Sequence, residues 1–304
     1  MFASLVEILP LDGSSTDPVD MPDSLIEIRN KNRNFLTQLL DGSKARNFQL
    51  DISVEATLRD YQQAGVNWLA FLRDYGVHGI LCDDMGLGKT LQTICILAST
   101  HKKCKDSGGK SYSLVVCPPT LTGHWVHEIS KFISADILKP LEYCGLLNER
   151  IKLRPTFGDH DIIVASYDIV RNDIEFLKSC KWLYIVLDEG HVVKNTKTKS
   201  YKAIKQLRGN HRLILTGTPI QNNVLELWAL FDFLMPGYFG SEKSFSTKFA
   251  KPILQSRDAK ASSSDQEAGI LAMQVSPFIL FKKFYGFINI YTFAELYIFL
   301  NEDS

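Results

Sequence analysis

Short runs of apolar residues alternate with longer amphipathic stretches along most of the chain. Five of these runs are continuous rather than alternating in polarity, which is typical of strands covered by helices on both faces. The segments between them are long enough to contain crossover helices. The predicted strands are residues 79–83, 113–117, 161–166, 183–189 and 212–217. The pattern therefore predicts an α/β fold with a mostly parallel central sheet flanked by helices.

The N-terminal part of the chain has a different pattern. Apolar positions in residues 24–41 recur at spacings of mostly three, four and seven, and Gly42 follows them, which predicts an amphipathic helix. The N-terminus carries Glu7 and no basic segment, so it does not resemble a signal peptide. The predicted organisation is an N-terminal helical extension (1–50), the α/β lobe (51–255), a polar linker (256–274) and an aromatic-rich tail (275–304).

The aromatic-rich tail differs from the rest of the chain. Residues 284–300 contain seven aromatic side chains and are close to the minimum length of a membrane span. Lys282, Lys283 and Glu295 flank or interrupt this stretch, so a membrane helix is the weaker interpretation and no membrane partner is expected. The alternatives are a strand-forming core segment without its partner domain, or a sequence that was not selected to fold in this chain.

Composition and charge exclude several classes of protein. Hydrophobic residues make up 45% of the chain and charged residues 22%, which is close to the globular average. Lys and Arg total 34, as do Asp and Glu, so the formal net charge is zero. A disordered chain, a fibrous protein and a highly basic nucleic-acid-binding tail are all disfavoured.

The six cysteines do not form a metal-binding pattern. No C-x-x-C pair occurs, and no histidine has the spacing of a zinc ligand. Several cysteines lie inside apolar runs, which favours buried, reduced thiols in a reducing compartment.

The first predicted strand runs into a glycine-rich loop and then into an apolar helix, the order that a phosphate-binding loop requires. In such a loop, Lys89 reaches the β- and γ-phosphates and the Thr90 hydroxyl ligates Mg²⁺. The strict G-x-x-x-x-G-K-[ST] pattern needs glycine at position 83, where this chain has Asp83. Taken alone, such a loop is also compatible with an ordinary turn. The candidate ATP-binding residues are Asp83, Asp84, Met85, Gly86, Leu87, Gly88, Lys89 and Thr90.

A second acidic motif strengthens the nucleotide hypothesis. The strand at 183–189 ends in Asp188 and Glu189. A carboxylate at the end of a neighbouring strand is where Mg²⁺ is held, so Asp188 is the candidate metal ligand together with Thr90. Glu189 is the candidate general base that polarises an attacking water. The catalytic candidates are thus Lys89, Asp188 and Glu189, and hydrolysis is favoured over phosphoryl transfer to another substrate.

A third motif follows the strand at 212–217. Thr216 and Thr218 are small hydroxylated residues that can relay the state of the γ-phosphate by hydrogen bonding. The same T-G-T-P segment is also a good turn, because the residue before Pro219 favours extended backbone. Both interpretations remain open from the residues alone.

Six motifs occur in the order found in Swi/Snf-type superfamily-2 helicase-like ATPases. They are LRDYQQAGVNWL, which contains Gln62, then DDMGLGKT, VVCPPTLTGHW, ASYDIVRND, DEGH and LTGTPIQNN. The chain resembles this family over residues 58–240, and a residue other than glycine at position 83 is also usual in the superfamily. Within the family it is most similar to the Mot-type subfamily of TATA-binding-protein-associated factors, in its CDDMGLGKTLQ run and in having DEGH where most relatives have DEAH.

The resemblance implies a RecA-like P-loop lobe that binds ATP and Mg²⁺, and hydrolysis that drives translocation along duplex DNA as two such lobes open and close. It also implies that Gln62 reads adenine, which suits an amide that can donate and accept. Without the resemblance, Gln62 is a surface helix residue. Nothing after Gln274 matches the second lobe's Q-x-x-G-R-x-x-R motif, although residues 275–280 resemble the start of the next segment. A single lobe is therefore expected to bind ATP and hydrolyse it poorly.

A basic stretch gives the candidate DNA contacts. Residues 194–212 contain seven Lys or Arg residues and no acidic one. Such a local stripe is sufficient for binding phosphate, and a translocating motor reads backbone rather than bases. A solvated helix face is the alternative. The DNA-binding candidates are Lys194, Lys197, Lys199, Lys202 and Lys205.

The predicted function is the ATP-binding lobe of a DNA-dependent ATPase, a duplex DNA translocase or remodeller. The family role implies the nucleus, and it implies TATA-binding protein as a partner through regions that this sequence does not contain. The alternative is a catalytically incomplete nucleotide- and DNA-binding fragment that acts as an interaction or competitor module.

Overall fold

The strands form one eight-stranded sheet in this structure, a computed structural model of the chain. In chain order they are β1 (Gly79–Leu81), β2 (Tyr112–Cys117), β3 (Pro140–Glu142), β4 (Ile162–Ser166), β5 (Trp182–Asp188), β6 (Gly209–Leu215), β7 (Phe278–Lys282) and β8 (Asn289–Thr292). Their order across the sheet is β3-β4-β2-β5-β6-β1-β7-β8. Neighbours are parallel except β7 and β8. The prediction of a mostly parallel α/β sheet is confirmed.

The structure describes residues 48–217, 224–256 and 262–263, the backbone of β7 and β8, and Glu27, Asn30 and Asn34. The chain divides into two units, residues 1–46 and 47–304. In the first unit the three described residues are helical and exposed, and the rest of the predicted helix at 24–41 lies outside the described residues. Thr218 and most of the predicted linker also lie outside them.

Helices cover the sheet in the second unit. The described α-helices are α1 (Asp60–Asp74), α2 (Lys89–Asp106), α3 (Thr122–Phe132), α4 (Leu147–Leu153), α5 (Tyr167–Asn172), α6 (Ile174–Leu177), α7 (Lys199–Ile204), α8 (Val224–Leu234), α9 (Glu242–Phe245) and α10 (Lys251–Ser256). A π-helical turn at Ser246–Ala250 joins α9 to α10. None of the described helices is both long enough and apolar enough to cross a bilayer.

The central strands are buried on both faces, which explains their continuous apolar runs. Leu114 and Val116 of β2 belong to the same buried cluster as Phe231 of α8. Successive strand residues point to opposite faces. On the other face of β2, the Ser113 hydroxyl shares a 2.8 Å hydrogen bond with His101 Nε2 of α2. A strand between two helical layers needs no polar face, so the sequence contains no alternation there.

Helix α2 is enclosed by its neighbours. Its residues from Gln92 to His101 are all buried, as expected of a helix whose surroundings are protein on every side. Helix α1 packs against it so closely that a Cβ atom on Gly65 would lie 1.6 Å from Gln92 Oε1. Glycine at position 65 therefore sets the distance between α1 and α2.

Strands β3 and β7 were not predicted from the sequence, whereas β8 lies in the stretch 284–300, for which a strand-forming segment was one of the alternatives. Strand β3 has only three residues, includes Pro140 and lies at the sheet edge, where proline is tolerated because its missing N–H faces no partner. Strands β7 and β8 lie within the aromatic-rich tail, and the backbone of β7 pairs with β1. The interpretation of the tail as the start of a second lobe stays a prediction.

A buried carboxylate connects the end of β3 to the turn between α5 and α6. Asp173 Oδ2 accepts hydrogen bonds from Arg150 Nε (2.8 Å) and Tyr143 Oη (2.6 Å), and Oδ1 accepts one from Arg150 Nη2 (2.9 Å). Burial opposes ionisation of Asp173, but these hydrogen bonds outweigh it and lower its pKa to about 2. The ionised form is therefore stabilised by folding.

We expect Asp173→Asn to destabilise the fold by about 3 kcal/mol at neutral pH, because it leaves the buried Arg150 guanidinium without a counter-charge. The native pKa is depressed, so this stability is present above about pH 4 and is lost as the pH falls towards about 2. Urea unfolding of wild type and variant between pH 7 and pH 3 measures both effects. Asp168→Asn is the matched control, because Asp168 pairs with Arg171 at the surface, and its cost should be under about 1 kcal/mol. Equal costs for the two variants would contradict the prediction.

Candidate nucleotide-binding site

The register of three parallel strands brings the predicted motifs to one edge of the sheet. Leu215 at the end of β6 is paired with Leu81 of β1 on one side and with Asp188 of β5 on the other. The loops that follow these strands therefore leave the sheet at the same level. The glycine-rich loop and the acidic motif are brought together on either side of Thr216, which is buried and donates its backbone N–H to Leu81 O at 3.2 Å.

The loop between β1 and α2 depends on left-handed backbone at two glycines. Gly86 has φ of 83° and Gly88, the N-cap residue of α2, has φ of 78°. A side chain at Gly88 would be strained, and its Cβ would also lie 2.4 Å from Gln62 Nε2. The loop thus ends at the N-terminus of an 18-residue helix, whose free N–H groups and dipole favour an anion.

Lys89 lies over its own loop. Its ammonium donates to the carbonyl oxygens of Asp83 (2.6 Å) and Asp84 (3.0 Å). Asp84, Met85 and Gly86 are exposed, and Met85 is 81% exposed to solvent. Phosphate oxygens are stronger acceptors than these neutral carbonyls, so the ammonium is held close to the position from which it can exchange partners.

Asp83 replaces the expected glycine without obstructing the loop. It is only 3% exposed, and its Oδ2 accepts a hydrogen bond from Gln92 Nε2 at 3.3 Å. The carboxylate is therefore directed towards α2. This gives a structural reason why the departure from the strict P-loop pattern is tolerated.

Gln62 lies beside the loop and is buried. Its Oε1 accepts the Arg59 backbone N–H at 3.0 Å, and its Nε2 donates to Leu87 O at 3.3 Å. The amide therefore links the start of α1 to the glycine-rich loop. Reading adenine requires it to exchange these bonds, and that role stays a prediction.

Asp188 is held in one orientation by two donors. Its Oδ2 accepts from Trp125 Nε1 at 2.8 Å, and its Oδ1 accepts from the Glu189 backbone N–H at 2.9 Å. Burial raises the pKa of Asp188, and the Trp125 hydrogen bond partly opposes this. A carboxylate has about four acceptor positions, so two bonds leave room for a cation or a water.

Glu189 adopts an unusual backbone conformation. Its φ and ψ are both 53°, and among the described residues it is the one non-glycine residue with positive φ. This conformation costs of order 1 kcal/mol or more and persists only where the surroundings enforce it. Its Oε2 lies 3.1 Å from His191 Nδ1. Strain of this kind is enriched at functional sites, which supports the hypothesis that Glu189 has a functional role.

The chemical character of these donors fits magnesium and a phosphate ester. Thr90 is the second residue of α2 and Asp188 ends β5, so both supply the oxygen ligands that Mg²⁺ prefers. Apart from Gly86 and its two chain neighbours, no atom of the described residues lies within 4 Å of the position that a Cβ on Gly86 would occupy, so the loop is open to them there. Within the described part of the chain, no three His, Cys, Asp or Glu side chains converge into a metal site.

Sequence reasoning missed the side chains that orient the site. Trp125 holds Asp188, Gln92 holds Asp83, and Tyr167 Oη donates to Asp188 O at 2.7 Å. Trp125 lies in the VVCPPTLTGHW motif and Tyr167 in ASYDIVRND. Their position within these motifs was the only sign that Trp125 and Tyr167 contribute to the site. The apolar pattern alone indicates only that both are core residues.

The basic stretch does not form one open stripe. Lys194 Nζ lies 3.2 Å from Glu226 Oε2, Lys205 pairs with Asp232, and Arg212 donates to the carbonyls of Phe233 and Leu207. Four exposed members carry no such contact to another described residue, namely Lys197, Lys199, Lys202 and Arg208. The structure thus separates the DNA-binding candidates into two groups, those engaged by acidic side chains and those facing solvent.

Comparisons with known proteins agree with this geometry. Residues 61–283 match the model of the SNF2-related domain. The human TATA-binding protein-associated factor 172 is 56% identical over 92% of this chain, and the Saccharomyces cerevisiae TATA-binding protein-associated factor MOT1 is 53% identical over 92%. The chain spans 16% of the length of each.

A solved structure gives the same result at the level of the fold. The Sulfolobus solfataricus SWI2/SNF2 ATPase core in complex with dsDNA matches with a TM-score of 0.62 and 37% identity, over 79% of this chain and 47% of that one. The RecA-like fold and the resemblance to Swi/Snf-type ATPases are confirmed. From the ordered motifs, the shared sheet and the family match over residues 61–283, this chain belongs to the SNF2-related domain family.

Proposed function

We propose that this chain is the ATP-binding lobe of a DNA-dependent ATPase of the duplex DNA translocase or remodeller type. The observation that carries the proposal is the register that brings the glycine-rich loop, Asp188 and Glu189 to one edge of the sheet. The similarity of the chain to the Sulfolobus solfataricus SWI2/SNF2 ATPase core in complex with dsDNA supports DNA as the partner.

The loop residues bind and orient the nucleotide in this proposal. The backbone N–H groups of residues 86–90 cradle phosphate oxygens, and Lys89 exchanges the Asp83 and Asp84 carbonyls for the β- and γ-phosphates. Thr90 and Asp188 hold Mg²⁺, with Trp125 fixing the carboxylate. When bound, the metal neutralises charge on the phosphate oxygens.

Glu189 receives a proton from the attacking water. Its left-handed backbone turns the side chain away from the direction in which β5 runs, and the His191 imidazole lies against its carboxylate. A base held by backbone geometry needs little reorganisation when the water is activated.

The DNA contacts proposed here are the exposed lysines Lys197, Lys199 and Lys202. They follow the acidic motif closely in the chain, and their charges are not engaged by the described acidic side chains. Lysines in this arrangement neutralise backbone phosphates and carry no sequence preference.

A nuclear role with TATA-binding protein as an indirect partner is the finer part of the proposal. It is supported by the human and yeast relatives, which are named TATA-binding protein-associated factors. Since the chain spans 16% of those proteins, that contact is proposed to lie in regions other than the lobe described here.

The alternative is a nucleotide- and DNA-binding module that does not turn over ATP by itself. It uses the same glycine-rich loop and Lys89, which donates to the carbonyls of Asp83 and Asp84, but it requires no proton transfer to Glu189. The two proposals share the site and differ only in turnover.

The deciding experiment is the steady-state ATPase rate of the 304-residue chain, with and without duplex DNA, beside Lys89→Ala. We expect Lys89→Ala to weaken Mg·ATP binding by about tenfold or more, because one charge-assisted contact to phosphate is lost. Nucleotide affinity is measured with a fluorescent ATP analogue. Lys152→Ala, on the exposed side of α4, is the control and should bind normally. A DNA-stimulated rate that Lys89→Ala abolishes supports the ATPase, whereas binding without turnover supports the alternative.

Glu189→Gln should retain nucleotide binding and lower the hydrolysis rate by roughly 10²-fold or more, because the amide cannot accept the proton of the water. Single-turnover hydrolysis at saturating protein separates this effect from affinity. Glu175→Gln changes the same charge at a surface site and serves as control. If Glu189→Gln hydrolyses ATP at the wild-type rate, Glu189 is not the base.

Replacing Lys197, Lys199 and Lys202 together by Ala should weaken duplex DNA binding and reduce the slope of log K against log salt by about 2 to 3, since each phosphate contact contributes about 0.9. Fluorescence anisotropy at several salt concentrations gives the slope. The variant Lys110/Lys139/Lys152→Ala removes the same charge elsewhere on the exposed surface. Equal slopes for the two triple variants would show that net charge, rather than this segment, determines binding.

A further inference from the structure

Lys194 differs from the other lysines of the basic stretch. Its side chain is only 9% exposed, and its ammonium lies 3.2 Å from the carboxylate of Glu226 on α8. Glu226 is itself largely buried, since only 23% of its side chain is exposed. Moving this ammonium out to a DNA phosphate would break its ion pair with a partly buried carboxylate, which is unfavourable.

The turn between Glu189 and Lys194 is fixed at both ends. At the first end, Gly190 packs on β6 so tightly that a Cβ atom there would lie 2.3 Å from Ile214 Cγ2. The turn then runs as a 3₁₀ segment to Val193, which is completely buried. At the second end, the Lys194 ammonium meets α8. The strained Glu189 backbone is thus enforced by contacts that follow it in the chain.

Helix α8 has a particular place in the chain. It begins at Val224, directly after the LTGTPIQNN motif. The ion pair therefore joins the segment that follows the acidic motif to the segment that follows the Thr216 motif. A second contact lies nearby, where Thr196 Oγ1 donates to Glu242 Oε2 of α9 at 2.8 Å.

We propose that Lys194 is a positioning residue. Its ion pair with Glu226 holds the turn that fixes the direction of the Glu189 side chain, and Lys194 does not contact DNA. The inference rests on the proposed function only for what Glu189 does, since the position of the turn is a property of the protein itself.

Backbone amide exchange tests the positioning directly. Two amides report on the turn, because the Val192 N–H bonds Glu189 O at 3.0 Å and the Lys194 N–H bonds His191 O at 3.3 Å. In Lys194→Ala we expect both to exchange about tenfold faster, while amides of β5 keep their wild-type rates. Lys197→Ala, three residues along and exposed, should leave the turn unchanged.

Rescue separates a specific ion pair from general damage. Lys194→Arg keeps the positive charge and should show slow exchange, like the wild type. The double variant Lys194→Glu/Glu226→Lys should also show slow exchange, whereas either charge reversal alone should show fast exchange. Faster exchange throughout β5 in Lys194→Ala would indicate global destabilisation, and the comparison then rests on Lys194→Arg and the reversed pair. Failure of both to restore slow exchange overturns the proposal, as does wild-type exchange in Lys194→Ala.

Two further measurements distinguish positioning from DNA binding. Lys194→Ala should keep the wild-type salt slope for duplex DNA, whereas Lys197→Ala should reduce it by about 1. ATP affinity should stay within about twofold while kcat falls about tenfold, because the base is misdirected and the phosphate site is intact. A reduced salt slope in Lys194→Ala would contradict the proposal. If the wild-type chain neither binds DNA nor hydrolyses ATP, the proposed function fails, and amide exchange still decides the role of Lys194.

Discussion

The site depends on the alignment of three parallel strands. Because β1 and β5 are both in register with the end of β6, their following loops start from a common level. Neither motif is a site alone, since a glycine-rich loop without a carboxylate lacks a metal ligand, and the carboxylate without the loop lacks a phosphate. The helices packed on both faces keep this register, because a shift by one residue would exchange the side chains of the two faces, which differ in size and shape.

Rigid surroundings also determine the geometry within the site. Trp125 and a backbone N–H orient the Asp188 carboxylate, and Gln62 and Gln92 brace the glycine-rich loop from α1 and α2. Each of these contacts is a single hydrogen bond of modest net energy in a buried place. Their importance is directional, because a metal ligand and a base act only when aimed within a few tenths of an ångström.

Much of the fold, and the placement of the candidate site residues at one edge of the sheet, was predictable from the sequence. Continuous apolar runs predict the strands β1, β2, β4, β5 and β6. The glycine-rich loop follows the end of β1, and the acidic motif lies at the end of β5. Strand β3 was not predictable, because three residues with a proline carry no periodicity. The environment of Lys194 was not predictable either, because its partner Glu226 lies 32 positions away and appears only when α8 packs on the turn. The conformation of Glu189 had no signal in its residue type.

The trio of Gly65, Gln92 and Asp83 forms a contact chain in which α1 leaves space for an amide, and that amide holds the carboxylate at the base of the glycine-rich loop. A glycine at position 83 would leave the Gln92 amide without this acceptor, and a larger residue at position 65 would displace it. Transplanting this loop into another P-loop scaffold therefore requires moving three residues from three separate segments. Recombination within the family that separates the trio should yield chimaeras in which the glycine-rich loop is poorly ordered.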